Sequence, residues 1–262
     1  QCLESVKLPT TLIGTLPKHS ITDNKVLKTL TIPHQVTEID SKAFEATTGL
    51  ETVYVPSTIT YVTPITNNST KANIIYYHTP TEGEKGRYPE IFGEGNEVCI
   101  GKYEFGNVGG AKKEYFESHD SSIINREHSV IDLRTMDSNY QIKLICMAAF
   151  SRSEDEKSKK DYIEKIIVPE GVIHIDQCAF RWNHGLSSIT LPTTLTEKIP
   201  KYCITDNATL QTLVIPHGVT TIIADAFSEA TGLKRVYVPD VENFNTTPIT
   251  NYSTSATIIR YN

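Results

Sequence analysis

Apolar side chains recur along this chain with a period too long for any one helix or strand. From Leu27 the sequence reads LKTLTIPHQVTEIDSKAFEATTG, and at Leu50 it starts again as LETVYVPSTIT. The frame is Leu-x-x-Leu-x-Ile-Pro, then a second apolar pair (Val36, Ile39), then Ala43-Phe44 and a closing Gly49. It returns at Leu186, Leu210 and Leu233, and successive copies lie 23 or 24 residues apart. Within each copy one short alternating run, two side chains in and one out, predicts a half-buried parallel strand. The first three are expected at Val6–Leu8, Leu30–Ile32 and Val53–Val55.

A period between 20 and 29 residues with leucines at fixed offsets is the mark of a leucine-rich solenoid. One copy has no second surface on which to bury its apolar face, so copies must stack. The expected class is therefore β-rich (α/β by convention for such repeats), a right-handed coil of short parallel strands. Short helical or 3₁₀ turns are expected on its convex side. Pro9, Pro33 and Pro56 stop the strands, since proline has no ladder donor and a fixed φ. A helical or 3₁₀ segment at residues 40–46 aims Phe44 inward, and Gly49 permits the reversal into the next strand.

Residues 186–261 are a second copy of residues 3–77: LPTTL, ITDN, IPH and TPITN each occur in both. The endings NIIYY (Asn73–Tyr77) and TIIRY (Thr257–Tyr261) match as well. If Arg260 pointed inward it would be buried without a partner, at high cost. Ile259 and Tyr261 are therefore expected inside, with Ile75 and Tyr77 in the first copy, leaving Arg260 and Tyr76 outside.

The organisation that follows is an array of three repeats plus a terminal strand (1–77), a bridge rich in glycine and charge (78–128), and an array of about five repeats plus its ending (129–262). The second array opens in worn form, with a strand at Ile131 and Leu133 and the pair Ala149-Phe150. Residues 151–161 lengthen that turn as a solvated loop. The bridge is read as a linker or an irregular β-rich connection.

Composition narrows the function. With 262 residues, 39% apolar, 21% charged and a net charge of −6, the chain is neither disordered nor fibrous. Mild acidity argues against nucleic acid, because no basic face releases counterions from phosphates. No apolar run approaches the ~18 residues of a membrane span. Gln1-Cys2-Leu3 opens inside a repeat, which marks a fragment or processed chain, so the missing leader says nothing of location.

Little catalytic chemistry is visible. Five cysteines (Cys2, Cys99, Cys146, Cys178, Cys203) include no Cys-x-x-Cys pair, so no metal, redox or cofactor site is expected. Cys203 takes the small slot of the Ala-Phe pair; a disulfide to Cys178 is possible but no motif encodes it. His119-Asp120-Ser121 are adjacent and would not converge as a triad. Gly93–Gly95 lacks the third glycine of a dinucleotide loop, since Val98 stands there. Residues Glu154-Asp155-Glu156 lack the spacing of a calcium loop. His34 and His217 occupy turn positions. The sequons at Asn67, Asn68, Asn207, Asn245 and Asn251 are read as loops rich in Asn, Ser and Thr.

The frame φ-x-φ-P-x-x-φ-x-x-I…A-F…L, as in LKTLTIPHQVTEIDSKAF, resembles the BspA-like leucine-rich repeats over residues 3–77 and 130–261. The proline after the strand and the Ala-Phe pair separate it from ordinary leucine-rich repeats, which carry an asparagine ladder. The resemblance implies a secreted or cell-surface protein of a bacterium or mucosal parasite that adheres to host or matrix proteins. It brings no catalytic residues. The expected function is a non-catalytic scaffold that binds an extracellular protein or glycan through its sheet face. A structural spacer in a larger surface protein is the alternative, and an enzyme with its site in 78–128 the third reading. Binding is assigned to outward strand residues of interface type: Tyr54, Tyr76, Tyr237, Arg235 and Arg260.

Overall fold

Leu30 and Ile32 flank an outward Thr31, and that alternation does become a strand. The computed structural model describes residues 3–93, 95–101, 130–151 and 163–262. In the first array, β1 (Gly14–Leu16) and β3 (Val36–Ile39) form one small parallel sheet. Strands β2 (Thr29–Thr31), β4 (Thr52–Pro56) and β5 (Asn73–His78) form a second. Each repeat therefore contributes two strands rather than one. The second strand escaped notice because its burial runs in-out-out-in (Val36 and Ile39 in, Thr37 and Glu38 out). A register shift between Gly14 and Thr15 breaks the period-two pattern there. Val6–Leu8 is not a strand; Val6 and Leu8 pack half-buried against the first-array core.

The second array repeats this plan. One side carries β7 (Val130–Asp132), β9 (Lys165–Ile167), β11 (Ser188–Thr190), β13 (Thr212–Val214), β15 (Arg235–Pro239) and β16 (Thr257–Tyr261). The other carries β6 (Glu97–Ile100), β8 (Gln141–Ile145), β10 (His174–Ile175), β12 (Glu197–Ile199) and β14 (Val219–Ile222). Residues 97–100, placed in the bridge by the sequence, are thus a solenoid strand. A short helix α1 (Thr63–Thr66) recurs in the second copy as α3 (Thr247–Thr250), and α2 (Glu82–Arg87) lies in the bridge with a full capping box on Thr81.

The strand prolines open the turns: Val36, Ile59 and Val219 each donate a backbone hydrogen bond to the carbonyl of the proline three residues before. At the Ala-Phe corner the expected helix is absent. Isolated i→i+3 bonds take its place, and a left-handed residue two positions past the large side chain stops it: Asp23, Ala46, Trp182, Asp206 and Glu229, with φ between 53° and 59°. The corner still aims its pair inward, for Ala43, Phe44, Ala179, Phe180, Ala226 and Phe227 are all buried. Phe150 and Phe180 stack with ring centroids 5.7 Å apart.

Backbone bonds join the layers at this corner too. The amides of Ile21, Phe150, Phe180 and Ile204 donate to the carbonyls of Ala43, Ala179, Cys203 and Ala226, each one turn onward. Just beyond runs a buried polar column. Asn207 donates to the carbonyls of Asn183 and Leu186 while its own oxygen accepts from the amides of Thr209 and Leu210. Asn24, Thr47, Ser69, Asn183 and Ser253 make similar inter-turn bonds. A ladder therefore exists, built from Asn, Thr and Ser rather than asparagine alone. Asn207 is only 1% exposed, so its sequon is closed in the folded chain.

Gly49 serves a purpose other than reversal. A Cβ there would lie 2.4 Å from the Lys25 carbonyl oxygen of the preceding turn, and one at Gly232 would lie 2.3 Å from that of Ala208. Glycine is needed for close approach between layers. Gly49→Ala and Gly232→Ala should each cost about 1–3 kcal/mol of unfolding free energy in denaturant titrations. Gly86→Ala, in α2 with open space around it, should stabilise by about 0.5–1 kcal/mol. Asn207→Ala should cost about 3 kcal/mol, since two amides and two carbonyls lose their partner.

Candidate functional site

The outer face of the strand sheet meets two fates in the two copies. In the first, β5 ends the array and pairs antiparallel with β6, Tyr77 opposite Ile100 and His78 opposite Cys99. The sheet thus runs β2-β4-β5-β6-β8-β10 from one array into the other, and the coil reverses at this seam. Residues 131–140, the start of the second array, fold over the outer face of β2, β4 and β5. Tyr54 donates to the Asp132 carbonyl (3.1 Å) and lies 3.0 Å from the Thr135 hydroxyl. The Asp137 amide donates to Thr31 Oγ1 (3.1 Å), and Lys7 reaches Ser138 (2.9 Å) and the Asp137 carboxylate (3.3 Å). Tyr77 packs edge-on against Tyr140, and its hydroxyl donates to the Ile32 carbonyl. Burial holds the Tyr54 and Tyr77 hydroxyls far above their usual range.

Tyr54, Ile75 and Tyr77 accordingly belong to the core of the second array, while Val53, Val55, Ile74 and Tyr76 fill that of the first. This corrects the register expected for the endings. Tyr76 pairs with Val55 and points inward, and Ile75 pairs with Tyr54 on the outer face. Neither Tyr54 nor Tyr76 is exposed, so the expectation that they meet an external ligand fails: an intramolecular partner covers one and the first core the other.

In the second copy the same face is open among the described residues. Column one runs Lys165, Ser188, Thr212, Arg235 and Thr257, and column two runs Ile167, Thr190, Val214, Tyr237 and Ile259. Arg235 is exposed, Tyr237 half-buried and Val214 48% exposed. Tyr261 repeats the reach of Tyr77, its hydroxyl donating to the Ile215 carbonyl (2.9 Å), and its ring lies 4.3 Å from that of His217. Arg260 lies opposite Val238, on the core side rather than the outer one. The assumed cost of burial does not arise, because the side chain is exposed and finds a carbonyl acceptor. Its side chain lies half out, with Nη1 donating to the Val241 carbonyl (2.9 Å) and lying 3.9 Å from Asp240. Of the five residues assigned to binding, Arg235 and Tyr237 share the outer face, and Arg260 does not lie on it.

Four groups that the spacing did not single out converge beside the seam. His78, Glu84, Cys99 and Cys146 are all buried, and their ligand atoms lie within 4.8 Å of one another. Strand pairing, not sequence spacing, unites these residues, which no Cys-x-x-Cys pattern marks. Burial works against a charged His78, but hydrogen bonds to Cys99 and Glu84 outweigh it and lift the imidazole to about 10. The Cys146 hydrogen bond draws the Cys99 thiol down, and Cys146 itself is raised. Cys178 and Cys203 are free and buried, with no disulfide between them. His34 and His217 lie in the proline turns as expected, His34 beside Tyr140. The His119-Asp120-Ser121 and Glu154-Asp155-Glu156 runs fall outside the described residues, as does 102–129 of the bridge.

This stacked parallel architecture is that of a leucine-rich-repeat solenoid. The chain belongs to the BspA-type leucine-rich repeat family, whose model matches residues 1–75 and 155–260 in six copies. No curated protein matches it in sequence. Among solved structures it is similar to a leucine-rich cell surface protein from Faecalibacterium prausnitzii, at 16% identity and a TM-score of 0.46, covering 90% of this chain and 60% of that one. It is also similar to a leucine-rich repeat protein of T. pallidum (15%, TM-score 0.38, 63% of this chain and 74% of that). The pneumococcal vaccine antigen PcpA is similar at 15% (TM-score 0.36, 96% and 60%). The chain thus spans about 60% of the Faecalibacterium protein's length. No helix among the described residues is long and apolar enough to cross a membrane.

Two substitutions separate the covered face from the open one. Tyr54→Phe should lower unfolding free energy by about 1–2 kcal/mol through loss of its buried hydroxyl contacts. Tyr237→Phe should leave it within about 0.5 kcal/mol of wild type, both read from denaturant midpoints.

Proposed function

We propose that this repeat scaffold binds a polypeptide ligand outside the cell, using the open outer face of the second copy around Arg235 and Tyr237. The observation that carries the reading is the contrast between the copies. In the first, Thr31, Tyr54 and Tyr77 hold a polypeptide segment, residues 131–140, through backbone carbonyls, an amide and ring contacts. In the second, Val214, Tyr237 and Tyr261 occupy the matching positions with no segment of the described residues hydrogen-bonded across them. A face that takes a loop in one copy keeps its strand geometry and the Tyr54 hydroxyl, as Tyr237, in the other, with apolar Val214 in the place of Thr31. Tyrosine and arginine supply large contact area and directional donors at such surfaces.

The surface setting rests on the family, since repeats of this type imply secreted or surface proteins that adhere to host or matrix components. Catalysis has no part in the reading. In the cleft between the arrays, about 390 Å³, both lysines are engaged in ion pairs, Lys7 with Asp137 and Lys28 with Glu51.

The test is a binding screen of the full chain against purified matrix and serum proteins, repeated with the Arg235→Ala/Tyr237→Ala variant. The expected result is a protein ligand of micromolar or tighter affinity whose binding falls at least about tenfold in the double variant. Equal binding by the variant would move the site elsewhere, and no ligand at all would favour a spacer.

A further inference from the structure

The seam holds a second site that the binding face does not use. Its four side chains come from four separate pieces of the fold: His78 ends β5, Glu84 lies in α2, Cys99 lies in β6, and Cys146 directly follows β8. His78 is 8% exposed, Glu84 4%, and both cysteines 0%. All the donor atoms lie within 4.8 Å of one another. A tetrahedral zinc with Zn–S near ~2.3 Å and Zn–N or Zn–O near ~2.0 Å holds its donors roughly 3.3–3.8 Å apart, so small side-chain rotations would close the set.

The orientation of each donor is fixed from behind. His78 Nδ1 lies 3.1 Å from the Gly101 carbonyl, which can only accept, so the proton sits on Nδ1 and Nε2 faces the other three groups. That arrangement is how ligating histidines are usually held. Glu84 Oε2 is taken by the Thr81 amide and hydroxyl, both at 2.9 Å. Its Oε1 is left towards His78 Nε2 (2.9 Å) and Cys146 Sγ (3.9 Å). Cys99 is fixed by the strand pairing opposite His78, and Cys146 by its amide bond to the Ile100 carbonyl. Leu144, Tyr88 and Phe92 pack against the two cysteines.

We propose that His78, Glu84, Cys99 and Cys146 bind one structural zinc ion that clips the antiparallel seam between the two arrays. Two sulfurs with one nitrogen and one oxygen suit zinc, whereas calcium and magnesium select oxygen alone. Four protein donors in a closed, buried site leave no position for water, so the role is to hold structure rather than to catalyse. Binding trades two thiol protons and the imidazolium proton for the metal, giving two thiolates, a carboxylate and a neutral imidazole around the ion. The clip ties the last strand of one solenoid to the first two sheet strands of the other, where the coil reverses and layer stacking alone does not continue.

The test uses the full chain. Metal analysis after dialysis should find about one zinc per chain. After chelation, one equivalent of added cobalt should give the ligand-field and sulfur-to-metal absorption of a tetrahedral thiolate site, and added zinc should raise the unfolding midpoint saturably. Cys99→Ser/Cys146→Ser should lose the metal and the midpoint response, while Cys178→Ser/Cys203→Ser keeps both. The wild-type titration decides, whatever the stability of the first variant. A chelated wild-type chain that is folded by circular dichroism yet takes up neither metal overturns the proposal. So does thiol mapping that finds a Cys99–Cys146 disulfide throughout, or zinc retained by the Cys99→Ser/Cys146→Ser variant.

Discussion

Every turn of this chain leaves backbone donors and acceptors that only the adjacent turn satisfies, and that constraint governs the rest of the structure. Strand ladders meet it on two sides of the coil, and the bonds from Ile21, Phe150, Phe180 and Ile204 meet it at the Ala-Phe corner. The buried Asn, Thr and Ser column meets it where the chain turns back towards the next strand. The spacing between layers is then set by backbone geometry rather than by side chains. That is why a small residue precedes the large one at the corner, and why Gly49 and Gly232 sit within van der Waals reach of a carbonyl one turn away.

The same constraint makes the ends of an array costly, because a last strand has donors and no next layer. The two copies of the cassette solve this differently. The first hands the edge of β5 to β6 in antiparallel fashion and covers its outer face with residues 131–140. In the second, β16 pairs with β15 and its outer face is open among the described residues, while Arg260 reaches the Val241 carbonyl. Equivalent residues thus acquire opposite environments: Tyr77 is fully buried while Tyr261 is half-exposed, although both hydroxyls reach the same carbonyl of their repeat. The proposed ligand face and the proposed zinc clip both follow from these endings. One is the face left open, and the other lies at the place where reversal interrupts stacking.

Much of this was legible in the residues. The period, the inward slots of Leu30 and Ile32, the buried Ala-Phe pairs and the cassette duplication follow from local rules, since a strand alternates and a repeat must bury the same positions in every turn. The outward placement of Arg235 and Tyr237 on their strand was legible the same way. The second strand of each repeat was hidden by a bulge that spoils alternation at Val36–Ile39. The register of the endings was misread because an inward arginine was assumed to be buried without a partner, whereas Arg260 stays exposed and donates to the Val241 carbonyl.

Sequence alone therefore determined what every layer shares: its length, its core residues and its tendency to stack. Only the tertiary structure decided where stacking stops, and with it the burial of Tyr54 and Tyr77 and the meeting of His78, Glu84, Cys99 and Cys146. The reason is physical. Stacking between like turns is a nearest-neighbour interaction that each repeat encodes in itself. The antiparallel pairing of β5 with β6 joins two unlike edges across a segment without a period, and only folding brings those edges together.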